Sequence, residues 1–107
     1  MKVKISIHVP VKNGDEVRAT LHSSGAGVMG NYTHCSFSYK GIGRFMPGAN
    51  SSPHIGEANK LEAVEEEVIE VVCESGMVKN VLKSVREVHP YEEVPFEIIQ
   101  LIDESEL

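Results

Sequence analysis

Residues 2–9 alternate between apolar and polar. Val3, Ile5, Ile7 and Val9 face one way and Lys4, Ser6 and His8 the other, which predicts a half-buried strand closed by Pro10. Over residues 13–24 the period changes: Val17, Leu21 and Ser24 fall at helical spacing, Asn13 can cap with Glu16 as its capping-box partner, and Gly25 and Gly27 supply the stop. Alternation returns over residues 31–40, with Thr33, Cys35, Phe37 and Tyr39 on one face and Tyr32, His34, Ser36 and Ser38 on the other. Gly41 and Gly43 are expected to break this strand, and Arg44 to Met46 to fold back on it as a short extra one. A third strand is predicted over 64–73, where Ile69, Val71 and Cys73 alternate with Val68, Glu70 and Val72. Val78, Val81, Leu82 and Val85 form an i, i+3, i+4, i+7 stripe, so 76–88 is a helix, capped by Ser75 and stopped at Pro90. A fourth strand over 94–101 precedes an acidic tail.

Strand, helix, strand, strand, helix, strand is the ferredoxin-like α+β sandwich: a four-stranded antiparallel sheet with two helices on one face. At 107 residues the chain is a single domain, 1–107. The connection at 41–61 is its longest, and loops beyond roughly 12–15 residues in a compact domain are usually functional or disordered. Its glycines, prolines, Phe45 and His54 suit an ordered path packed near a neighbouring subunit. The sheet face away from the helices is expected to carry Ser6, His8, Tyr32, His34, Ser36, Val68, Glu70 and Val72. That mixture suits burial against other copies in a closed oligomer. The alternative is a solvated face, which antiparallel sheets often have.

A net charge of −6 argues against a nucleic-acid backbone or an anionic membrane surface as partner. The acids at 65–67 and at 103, 104 and 106 are expected to be solvated. Cys35 and Cys73 show no disulfide framework and read as small buried hydrophobes. The charged strand at the N-terminus is not a signal peptide and no run is long enough to span a membrane, so a reducing, cytoplasmic location is the default expectation.

Three places carry candidate chemistry. In a regular strand His34 and Cys35 point to opposite faces, so His34 stands alone as a ligand or as an interface hydrogen bonder. In the long loop His54 lies close to Glu57, and imidazole suits zinc, copper or nickel; an exposed loop histidine is the plainer reading. The densest group is His89-Pro90-Tyr91-Glu92-Glu93. Its histidine can meet the carbonyls ending the second helix, its tyrosine offers a hydroxyl, and its glutamates can ligate metal or share a proton. A structural junction accounts for Pro90 and Tyr91 without requiring the His and the two Glu. No nucleophile elbow, HExxH, phosphate-binding loop or dinucleotide fingerprint is present.

Three separated motifs resemble the PII-like insert domain of the YqfO and YbgI family, also called the Nif-three or NGG-interacting-factor family. They are Gly25-Ala26-Gly27 with Gly30-Asn31-Tyr32-Thr33-His34-Cys35-Ser36-Phe37, then Gly41-x-Gly43-x-Phe45-x-Pro47 leading to Gly48-Ala49-Asn50, Ile55-Gly56 and Lys60-Leu61-Glu62, and finally His89-Pro90-Tyr91-Glu92-Glu93. The last, with Pro95, is also similar to the CutA family. The resemblance implies the insert alone, without the metal-dependent hydrolase-like body of the larger members, so a GTP cyclohydrolase-type activity does not carry over. It also implies trimers, as PII and CutA proteins form, with the 41–61 loop where PII proteins carry their signalling loop.

These readings converge on a non-catalytic trimeric module that binds a small ligand or a divalent metal (zinc, copper, nickel or manganese) at subunit clefts. Tyr32, Tyr91 and Glu93 are the expected ligand contacts, and His34, His54, His89 and Glu92 the expected metal ligands. Two alternatives stand beside it. A small metal-dependent hydrolase would need at least two carboxylates and two imidazoles in one coordination shell, and a purely structural assembly or protein-interaction domain would tolerate loss of the histidines.

Overall fold

The computed structural model describes all 107 residues. Its elements are β1 (Lys2–Pro10), α1 (Gly14–Ser23), β2 (Phe37–Phe45), β3 (Glu62–Glu74), α2 (Val78–Val88) and β4 (Phe96–Gln100), with single 3₁₀ turns at Val11–Asn13, Ser75–Met77 and Glu104–Glu106. The four strands form one sheet in the order β2-β3-β1-β4, every pairing antiparallel. This is the ferredoxin-like sandwich that the alternating periods predict.

The core lies between the sheet and the helices. Val3, Ile5, Ile7 and Val9 of β1 and Ile69, Val71 and Cys73 of β3 are buried with Val17 and Leu21 of α1 and Val81 and Val85 of α2. Period two on the strands and period 3.6 on the helices bring these side chains together. Arg18 ties α1 to the sheet edge: Nη1 donates to Glu67 Oε1 at 2.7 Å and to Ser38 Oγ at 3.2 Å. Asn13 does occupy the cap position of α1, but it makes no side-chain cap bond, and its buried Oδ1 has no partner.

The second strand departs most from expectation. Residues 31–36 are not in it, and Gly41 and Gly43 do not end it; β2 runs unbroken from Phe37 to Phe45. Ahead of it the chain makes a compact loop. Gly25 and Gly27 adopt φ of 101° and 80°, Gly27 N–H donates to Val72 O, and Met29 bridges Tyr32. Positive φ is the conformation glycine supplies without steric cost. The register sets Phe37 opposite Glu70 and Tyr39 opposite Val68, so both aromatics lie on the face away from the helices. This inverts the expected phase, because a one-residue shift moves every side chain to the other face. Cys35 is accordingly half-exposed in the loop, its thiol 3.8 Å from Thr33 O, while Cys73 is in the core as expected.

β3 is longer than its neighbour β1. It pairs with β1 from Glu66 to Glu74, whereas residues 62–65 pair only with β2. The β2–β3 hairpin therefore overhangs one end of the sheet, and the molecule measures 48 × 27 × 23 Å. β1 and β2 end, and β3 and β4 begin, at that same end. No helix is long and apolar enough to cross a membrane.

Candidate functional site: a cleft under the hairpin overhang

The overhang, the loop that closes it and the segment between α2 and β4 enclose a cleft of about 590 Å³. Glu66 lies on its inner wall. In β3 it stands opposite Pro10 on one side and Gly41 on the other, and it is only 6% exposed. Gly43 explains how a carboxylate fits there. A methyl group on Gly43 would collide with Glu66 Oε1, whereas one on Gly41 would meet nothing. Glycine inside a strand often marks such a close approach.

Tyr91 reaches Glu66 from across the cleft. Its hydroxyl donates to Glu66 Oε2 at 2.5 Å, a short, charge-assisted bond. Burial pushes the phenol well above its ordinary range, and the bond to the carboxylate pushes it further, so Tyr91 stays a donor. Glu66 Oε1 has no protein hydrogen-bond partner and Glu66 is in no ion pair. Rings line the approach: Phe45 and His54 lie 6.2 and 6.5 Å from the Tyr91 ring, centroid to centroid.

His89 holds this arrangement from behind. It follows the last residue of α2, and its own N–H caps Val85 O. Its Nε2 lies 2.7 Å from His8 O, and its Nδ1 lies 3.1 Å from Tyr91 N. A carbonyl can only accept and a backbone N–H can only donate, so the ring is neutral with its proton on Nε2. Burial lowers its pKa from the ordinary 6.5, outweighing the bond to His8. The imidazole thus meets a strand carbonyl rather than the end of the helix, and both its nitrogens are occupied.

The long loop is folded back against this site. Asn59 N–H donates to Pro47 O at 2.6 Å, and Ser51 Oγ to Gly48 O at 2.7 Å. Ser52 N–H donates to Glu92 Oε2 at 3.0 Å, tying the loop to the segment that carries Tyr91.

Several expected site residues therefore meet and others do not. Tyr91, His54, Glu92 and Glu93 border one cleft, with His89 behind Tyr91. Tyr32 and His34 lie at the opposite end of the sheet, in the loop between α1 and β2. There His34 takes a φ of 59° and packs its ring 4.5 Å from that of His22. The four residues expected to ligate a metal are consequently not gathered, and no group of three or more His, Cys, Asp or Glu in the chain is placed to hold one. The coordination shell required of a small hydrolase is likewise not assembled within one chain. Glu66, grouped by its sequence neighbours with solvated acids, is instead the buried polar centre of the cleft, and Glu67 is a partner of Arg18. Gly43 was the available signal, since a glycine inside a strand can leave room for something on the strand beside it.

Sheet order, helices on one face and an overhanging hairpin define a CutA-type fold. The chain superposes on the structure described as the periplasmic divalent cation tolerance protein CutA of Archaeoglobus fulgidus. The TM-score is 0.69, over 94% of this chain and 84% of that one, at 19% identity, a likeness of fold alone. In sequence it is similar to part of a larger protein. The GTP cyclohydrolase 1 type 2 homolog of Bacillus subtilis is 42% identical over 95 residues, which are 89% of this chain and 26% of that protein. The structure of a Bacillus cereus protein related to NIF3 gives a TM-score of 0.81 at 38% identity, covering 95% of this chain and 26% of that one. The chain spans about a quarter of the length of the relatives it matches, and the PII-like insert of the YqfO family is the segment whose description it fits. No protein-family model matches it.

Proposed function

We propose that this chain is a non-catalytic, homo-oligomeric PII/CutA-like module that binds a small ligand in the cleft beneath the β2–β3 overhang, for sensing or regulation. One observation carries the reading: a buried carboxylate, held by Tyr91 and left open on one oxygen, sits in the wall of a cleft with aromatic sides. Ligand sites are typically apolar concavities of this size with a few placed polar groups. Tyr91 and Glu93, expected as ligand contacts, border it together with His54 and Glu92.

Assembly is part of the proposal. Phe37 is 68% exposed and Tyr39 49% exposed, and both share the helix-free face with Ile99 of β4. A trimer, as the resemblance to PII and CutA implies, would cover that face. Tyr32 and His34 would then serve a ligand only from a neighbouring copy. A divalent metal such as zinc, copper, nickel or manganese would equally need donors from more than one chain, since one chain brings no three together.

The test is an NMR fragment screen on the isotope-labelled protein. Hits that perturb amides of residues 43–46, 51–55 and 91–95 support the reading. A screen whose hits all map elsewhere, or that yields none, overturns it.

A further inference from the structure

Resting on that reading, we infer that the cleft selects organic cations: a protonated amine or amidine on an aromatic or alkyl body, with its charge on Glu66 Oε1.

A carboxylate taken out of water needs a counter-charge or a full set of donors. Glu66 is 6% exposed, yet it receives a single hydrogen bond, from Tyr91 to Oε2. No lysine, arginine or histidine pairs with it. Lys4, Arg18, Lys60 and His8 are engaged with Glu70, with Asp15 and Glu67, with Glu57 and with Glu97 respectively. The open oxygen lies against Gly43, in the space that a side chain there would take, and Glu66 lines the cleft. A ligand N–H donor reaching that oxygen from the cleft would complete the shell that the protein leaves half made.

The walls agree with that charge. The rings of Phe45, Tyr91 and His54 form the sides, and an ammonium or amidinium close to aromatic faces gains cation–π attraction. The rim adds Glu92 and Glu93. The one permanent cation among the lining residues, Arg44, is exposed and belongs to the opposite phase of β2 from Gly43 and Phe45. An anionic ligand would instead meet three carboxylates, one of them buried.

The test uses the intact protein and three probes of one shape: benzylammonium, benzyl alcohol and benzoate. They are titrated near neutral pH by amide chemical-shift mapping, so that affinity and place are read together. Benzylammonium is expected to bind in the cleft at least about tenfold more tightly than either other probe, comparable with one charge-assisted contact. Glu66→Gln, which keeps an acceptor for Tyr91, should abolish that preference. Gly43→Ala, which displaces the carboxylate without removing its charge, should weaken benzylammonium alone and serves as the second variant if Glu66→Gln fails to fold. Equal or tighter cleft binding of the alcohol or benzoate overturns the cation assignment and leaves the ligand cleft standing. Cation binding that neither variant affects also overturns it, as diffuse attraction to an acidic protein. Absence of all three probes from the cleft overturns the cation assignment; the fragment screen then decides the cleft itself.

Discussion

At the scale of single residues, the site is a relay of positions rather than of protons. The His8 carbonyl orients His89, His89 accepts from the Tyr91 backbone, and the Tyr91 hydroxyl fixes Glu66. Removing the hydroxyl leaves a buried carboxylate without a partner, so Tyr91→Phe should cost about 1–3 kcal/mol of stability in urea unfolding. The pH dependence follows from His89. Its folded pKa lies below the ordinary 6.5, so the unfolded chain binds more protons in the window beneath that value. Stability from this group is present above about pH 6.5 and is lost as pH falls through the depressed native value. Urea midpoints at about pH 7.5 and about pH 5 should differ more for the wild type than for His89→Asn. The motif His89-Pro90-Tyr91 could be singled out from the sequence because residues of those types rarely gather without cause. Glu66 could not, because Glu65, Glu66 and Glu67 look alike in sequence and are separated only by their surroundings: Glu65 is exposed, Glu66 lines the cleft and Glu67 pairs with Arg18.

At the scale of elements, the strands and helices with clean periods were legible and β2 was not. β1, α2 and the buried half of β3 show one period over a whole element, and the core follows from it. In residues 31–45 small, polar and aromatic residues satisfy either phase, and two glycines imitate a strand end. Cross-strand pairing with β3 settles both the register and the length. The same ambiguity misplaced Tyr32 and His34, which belong to the loop at the far end of the sheet. The β2 edge depends on α1 through Arg18, whose side chain is 25% exposed beside a Glu67 side chain that is 13% exposed. Arg18→Ala should therefore cost about 1.5–3 kcal/mol, as hydrogen bonds to charged groups do, with the loss visible in thermal melts.

At the scale of the whole molecule, the fold sets helices on one face and leaves the other with exposed aromatics. Placing a charge there should prevent copies from covering it. Phe37→Glu is expected to shift sedimentation velocity from oligomer to monomer with the circular dichroism spectrum retained. An unchanged oligomer would put the assembly surface elsewhere. The overhang could not be read from the sequence, because it arises from a difference in length between β1 and β3 that only pairing reveals. It nevertheless creates the cleft, by carrying Gly43 and Phe45 beyond the end of β1 to face Tyr91. The most direct test of that cleft is the amide shift map of the labelled protein titrated with benzylammonium. Saturable shifts at Gly43, Phe45, Ser52, His54 and Tyr91 are predicted, and shifts confined to the far end around Tyr32 and Phe37, or none at all, would contradict the account.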